Sequence, residues 1–201
     1  MPIVSTNSIE LFYDEFGNHS APAILLIMGL GGQMIEWPET FCEGLSKRGF
    51  RVVRFDNRDA GLSTKFDSSA PVDVATVFAR AASGQPIEAP YVLGDMARDS
   101  TGLLDALGIE RAHIVGASMG GMIAQIMAVE HKERVRSLVS IMSTSGGPNL
   151  PRGKPEVMAL LVAPLPPPEA REARIQFGIK FWQTASAARD TQRPKQRYGR
   201  R

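Results

Sequence analysis

Apolar positions along this chain fall into two alternating kinds of run. Short unbroken runs, AILLIM at 23–28, FRVVRF at 50–55, AHIVG at 112–116 and VRSLVSIM at 135–142, have the length and continuity of strands covered on both faces. Between them, apolar residues recur at helical spacing. Trp37, Phe41 and Leu45 form one stripe, with Pro38 suited to a first turn and Gly49 to the stop. Met96, Leu103, Leu104 and Leu107 form a second stripe in the segment from Gly94 to Leu107, closed by Gly108. The segment MGGMIAQIMAVEH, from Met119, is apolar enough for a helix packed on a sheet, and Met122, Met127 and the other methionines read as core filling. Residues 3–16 alternate loosely through Ile9, Leu11 and Tyr13, as an antiparallel strand pair closed by Gly17-Asn18 would.

This β-α alternation predicts an α/β fold, a three-layer sandwich with a mainly parallel sheet. The pattern changes at Ser143. STSGGPNLPRGKP reads as loop, PLPPPE as a break, and Ala170 to Trp182 as a helix bearing Ile175, Phe177 and Phe181. No further strand is evident, so the strand at 135–142 is expected to be an open edge through which copies could associate.

Composition limits the function classes. A chain of 201 residues, 43% hydrophobic and 22% charged, supports one sizeable core, expected over residues 1–186. From Ala187 on, Arg189, Arg193, Lys195, Arg197, Arg200 and Arg201 face only Asp190, and residues 187–201 are expected to be a disordered basic tail. Those six basic residues are weak support for an arm that binds nucleic acid. Cys42 is the only cysteine, which excludes an internal disulfide. No apolar run approaches a membrane span and no signal-like start is present, so a cytoplasmic protein without a membrane partner is expected.

The chemistry concentrates in Gly116-Ala117-Ser118-Met119-Gly120. It fits G-x-S-x-G and lies between a predicted strand and a predicted helix, the context that gives the motif its meaning. Strand end and helix start come very close there, and side chains at Gly116 and Gly120 would collide. The helix N-terminus offers free N–H groups and a partial positive charge. Ser118 is therefore the expected nucleophile. Met119 N–H is one expected oxyanion donor, and Leu30, in the turn after an earlier strand, is best placed to supply the other. LLIMGLGG followed by VVRFD imitates a dinucleotide-binding turn but has Met34 where the last glycine belongs, so no cofactor is expected.

LIMGLGG at 26–32, DNRDAGLST at 56–64 and the long segment from Asp95 to Gly121 resemble the α/β-hydrolase superfamily. The methionine-glycine pair at 28–29 and Asp59, where that turn usually has glycine, resemble its aclacinomycin methylesterase-like branch. The resemblance covers about residues 3–183. It implies a cofactor-free hydrolase acting on small-molecule esters, with Leu30 as an oxyanion residue by position and a lid region beginning within 143–183. It also implies that Asp56 and Arg58 tie their turn together; Asp59 receives no role.

The superfamily order of serine, then acid, then histidine is not completed here. His131 follows Ser118 by thirteen residues along the predicted helix, about 20 Å away. His113 precedes it on the same strand, about 16 Å below. His19 sits in a predicted turn. None reaches hydrogen-bonding range of the serine. The acid is also missing: the strand at 135–142 runs into Ser143-Thr144-Ser145 without a carboxylate, and Glu156, Glu169 and Glu172 fall in the lid-like stretch. The reading is thus a serine hydrolase represented by an incomplete chain, impaired as it stands. The alternative is a non-catalytic relative that binds a ligand or partner.

Overall fold

The computed structural model describes residues 2–66, 76–77, 80, 83–147, 149–151, 153–161, 163–167 and 169–186. The basic tail expected at 187–201 lies outside the described residues. The described residues fall into two compact units, one within 2–66 and 88–150 and the other within 76–87 and 151–186.

The first unit is a six-stranded sheet. Its strands are β1 (Ile3–Thr6), β2 (Ile9–Phe16), β3 (Ala23–Ile27), β4 (Arg51–Phe55), β5 (Ala112–Ala117) and β6 (Val135–Ile141), in the spatial order β1-β2-β4-β3-β5-β6. β3 lies parallel to both β4 and β5, and β5 parallel to β6, whereas β2 is antiparallel to β1 and β4. The helices are α1 (Glu39–Ser46), α2 (Leu93–Ala106) and α3 (Met119–Glu130). Two apolar clusters separate the layers. Leu25, Ile27, Val53, Phe55 and Ile114 pack with Leu103 and Leu104 of α2 and Ile123 and Met127 of α3. On the other face Ile24, Leu26 and Val52 pack with Trp37 and Cys42 at α1. The three-layer, mainly parallel α/β arrangement is as the apolar pattern predicts.

Some local expectations need correction. The strand pair within residues 3–16 turns at Asn7 and Ser8, both at positive φ (47° and 62°), and not at Gly17-Asn18. Two consecutive left-handed residues match the right-handed twist of a tight hairpin. Gly17 instead ends β2, where a Cβ would overlap the Phe50 carbonyl. Trp37 precedes α1, and Phe41 stacks on it at 5.8 Å while remaining exposed, so the predicted stripe is only partly inward.

β4 buries Arg51 and Arg54 along with its apolar residues. Such burial needs paired charges, and neighbouring β2 supplies them: Asp14 lies 2.7 Å from Arg54 and Glu15 2.8 Å from Arg51. The Arg54 guanidinium also lies 4.9 Å from the Phe16 ring centroid. β6 pairs only with β5 among the described residues, and every residue from Arg136 to Ile141 is exposed.

The second unit contains α4 (Pro155–Leu161) and α5 (Arg171–Ser186). The helix predicted at 170–182 extends to 186. The short helix α4 falls between the predicted loop and the proline-rich break, with Pro155 at its first position, where a missing N–H costs nothing. Among the described residues no helix is long and apolar enough to cross a membrane.

Candidate active site

Ser118 stands between the last residue of β5 and the first of α3, at φ 54° and ψ −120°. That backbone conformation costs a non-glycine residue about 1–3 kcal/mol and persists only when its surroundings enforce it. Here they do. A Cβ on Gly116 would overlap the Gly120 carbonyl, and one on Gly120 would overlap the Ile27 carbonyl oxygen and lie 2.7 Å from that of Met28. The absence of both side chains lets α3 start directly against β3 and β5. Ser118 N–H donates to Ile141 O at 2.9 Å, and Ser118 O accepts from Gly121 N–H at 2.9 Å.

The turn after β3 closes over the serine. A Cβ on Gly29 would lie 3.0 Å from Ser118 Cβ and 3.5 Å from its Oγ, so only glycine leaves that approach free. Asn57 Nδ2 donates to Met28 O at 2.9 Å and fixes this turn to the end of β4. Leu30 is exposed, and among the described residues its N–H donates to no backbone carbonyl. Met119 N–H opens α3, where the first N–H groups lack intrahelical acceptors and the helix dipole is positive.

Leu30 and Met119 border a cavity of about 480 Å³, together with Gly29 and Gly31, the stretch Asn57 to Ala60, the stretch Tyr91 to Leu93, and Met96. Met96 and Met119 thus serve the cavity wall as well as packing, a correction to their reading as core filling alone. No histidine is among the lining residues.

The loop from Asp56 to Phe66 forms the polar side of this cavity. Asp56 accepts from Met34 N–H at 2.7 Å and Leu62 N–H at 2.9 Å, which ties the loop together as the resemblance implies. Arg58 reaches further. Its guanidinium makes two 2.6 Å hydrogen bonds to Asp99 of α2, both side chains being buried, and lies 5.1 Å from the Phe66 ring centroid and 4.9 Å from that of Tyr91. Burial works against the Arg58 cation, but the hydrogen bonds and charge of Asp99 outweigh it and hold its pKa above the ordinary arginine value. Asp59, at φ 63°, accepts from Phe66 N–H at 2.7 Å and from Tyr91 OH. Burial, then the hydrogen bond to Asp59, pushes the Tyr91 phenol up to about 12.

Tyr91 and Asp99 are the site residues that sequence reasoning missed. Their bonds to Asp59 and Arg58 span 32 and 41 residues, and the one local signal was Asp59 in a place where glycine is usual.

None of the three histidines adjoins Ser118. His113 is the second residue of β5, at the opposite end from the elbow, with Nδ1 2.8 Å from Ser137 Oγ. His131 caps the far end of α3. His19 is exposed, 3.8 Å from Glu15. Among the described residues no group of three His, Cys, Asp or Glu converges as a metal site would need.

Comparison with known proteins adds a family and a set of activities. A family described as alpha/beta hydrolase fold matches residues 22–193. The rhodomycin D methylesterase DauP of Streptomyces sp. (strain C5) is 28% identical over 140 residues, which cover 70% of this chain and 41% of that protein. The putative carbamate hydrolase RutD of Variovorax paradoxus (strain S110) is 31% identical over 137 residues, covering 68% of this chain and 44% of that one. The crystal structure of the enol-lactonase from Burkholderia xenovorans LB400 superposes with a TM-score of 0.51 at 31% identity, covering 67% of this chain and 44% of the enzyme. The chain therefore spans less than half the length of these relatives.

Proposed function

Since the chain belongs to the α/β-hydrolase family, we propose that it supplies the nucleophile and oxyanion half of a serine hydrolase acting on small-molecule carboxylic esters. The observation that carries this reading is Ser118 itself, held at φ 54° between Gly116 and Gly120 with Gly29 kept free of a side chain beside its Oγ. A serine has no packing reason to occupy that conformation; a nucleophile that must stand clear of the strand end does.

In this reading Ser118 Oγ attacks the acyl carbon, and the carbonyl electrons move to an oxyanion that accepts hydrogen bonds from Leu30 and Met119 N–H. Collapse of the tetrahedral intermediate expels the alcohol and leaves an acyl-enzyme at Ser118, which water then hydrolyses to the acid. The relatives named as a methylesterase, a carbamate hydrolase and an enol-lactonase are consistent with attack on a carbonyl carbon bearing a heteroatom leaving group. The mechanism needs a base that takes the Ser118 proton and an acid partner for it, and none of the three histidines holds that place in its described position. Without them, only the weak catalysis of binding and oxyanion stabilisation would remain.

The test is turnover of 4-nitrophenyl esters by the native protein carrying this sequence. Ser118→Ala should lower kcat by a factor of about 10³ or more, with near-native stability. Retained turnover would sink the assignment. The second reading, a non-catalytic binding module, draws on the exposed β6 edge; stoichiometric ligand or partner binding with no acyl-serine under any ester would favour it.

A further inference from the structure

The cavity beside Ser118 has a charge that the hydrolytic step does not use. Most of its wall is apolar, from Leu30, Ala60, Val92, Leu93, Met96 and Met119. Two lining side chains carry charge, Arg58 and Asp59. Arg58 is neutralised from behind by the two-pronged bond to buried Asp99. Asp59 has no cationic partner among the described residues; its carboxylate accepts from Phe66 N–H at 2.7 Å and from Tyr91 OH.

The surrounding charges do not cancel it. Asp56 is buried and takes only backbone N–H groups, while Asp95 is paired with Arg98. Lys65 Nζ is bound to the carbonyl oxygens of Ala60, Gly61 and Ser63 at 2.7–2.8 Å and does not line the cavity. Glycine would fit the left-handed backbone at position 59 without strain, and asparagine would fit with little. The chain instead places a fixed negative charge on an otherwise mostly apolar cavity wall, where Asp59 is exposed and its carboxylate can meet an occupant directly.

We propose that Asp59 is a specificity-determining residue: it restricts this cavity to substrates whose parts lodged there are neutral or cationic, and excludes esters bearing a free carboxylate or sulfonate. The inference rests on the reading of Ser118 as nucleophile only in calling the occupant a substrate; the charge selection itself does not require turnover. Tyr91, pushed up to about 12, stays a neutral donor through the physiological range and holds the Asp59 carboxylate in place.

The experiment compares two fluorescent probes of one aromatic skeleton, neutral N-phenyl-1-naphthylamine and anionic 8-anilinonaphthalene-1-sulfonate, titrated into the native protein. Wild type should bind the neutral probe about tenfold more tightly. Asp59→Asn should tighten the anionic probe by about tenfold and leave the neutral one within about twofold. That variant keeps the fold, because asparagine tolerates positive φ, its Oδ1 can accept from Phe66 N–H, and its amide can donate to the Tyr91 oxygen. Tyr91→Phe, which removes the hydrogen bond but keeps the charge, should retain the preference. The proposal is overturned if Asp59→Asn shifts both probes alike, if it leaves the anionic probe unchanged, or if Tyr91→Phe abolishes the preference as fully as Asp59→Asn. All titrations are repeated in Ser118→Ala, where the same selection is expected, so failure of the nucleophile assignment and failure of charge selection read out separately.

Discussion

The elbow at Ser118 and the loop from Asp56 to Phe66 both leave the ends of parallel strands, β5 and β4, and both hold a non-glycine residue at positive φ, 54° at Ser118 and 63° at Asp59. They keep that conformation by opposite means. The elbow is made by removal: Gly29, Gly116 and Gly120 clear space that any Cβ would fill, and main-chain bonds hold Ser118. The loop is made by addition, with side-chain hydrogen bonds that anchor Asp56 and Asn57 to Met34 and Met28 after β3, Arg58 to Asp99 of α2, and Asp59 to Tyr91. Space left free suits a group that must meet a reactant. Bonds suit a wall that must not move.

The largest effect should come from breaking the loop's deepest anchor. Asp99→Ala leaves the Arg58 guanidinium buried without its partner and should cost about 3–5 kcal/mol in urea unfolding. A loss under about 1 kcal/mol would mean that water relieves the guanidinium and that the loop does not depend on it. The elbow's counterpart is Gly120→Ala, whose Cβ must displace the backbone at Ile27 and Met28, at about 2–3 kcal/mol. Gly49→Ala separates space from backbone conformation. Its Cβ would meet nothing within 4 Å although φ is 88°, and about 1 kcal/mol is expected.

Replacing the two left-handed residues themselves sharpens the contrast in sign. Ser118→Gly relieves the backbone and loses no side-chain hydrogen bond made among the described residues, so stability should rise by about 1 kcal/mol, with activity lost in the native protein. Asp59→Gly relieves a similar conformation but removes the acceptor for Phe66 N–H and Tyr91 OH, and should lower stability by about 1–2 kcal/mol. Unfolding of the two variants beside wild type checks the pair. Equal signs would mean that one mechanism governs both turns.

The same contrast explains what could be read along the chain. The elbow is legible because its serine and two of its three cleared glycines lie within five consecutive residues, Gly116 to Gly120, although the backbone that Gly120 clears belongs to β3 and the turn after it, and the parallel strands because burial on both faces leaves an unbroken apolar run. Asp99 and Tyr91 carry no local signal, since their bonds to Arg58 and Asp59 join α2 and the segment before it to a loop 41 and 32 residues earlier in the chain. Burial of Arg51 and Arg54 is equally nonlocal, depending on Asp14 and Glu15 of β2. Asn7-Ser8 is a weaker turn signal by residue type than Gly17-Asn18, and the alternation alone does not place the turn; the register of β1 on β2 does.

Titration gives the smallest difference between the two regions. With Tyr91 pushed up to about 12 by burial and by its bond to Asp59, the folded state keeps a proton that the unfolded chain, titrating near the ordinary value of 10.0, gives up. The stabilisation from this group is fully present below pH 10 and is lost as pH rises towards 12. Tyr13 is raised in the same direction, by burial and then by the charge of Glu15, so the total decline does not isolate Tyr91. The difference between wild type and Tyr91→Phe does. The variant should be less stable by about 1 kcal/mol near pH 8, through the lost hydrogen bond to Asp59, and the gap should narrow and then reverse as pH rises from 10 towards 12, read from urea midpoints. A gap that stays constant would mean that Tyr91 titrates in the folded state as it does when unfolded, and that its contact with Asp59 does not hold the loop. Ser118 does not titrate in this window, so Ser118→Gly should keep a constant offset from wild type over the same range, separating the wall held by bonds from the elbow held by space.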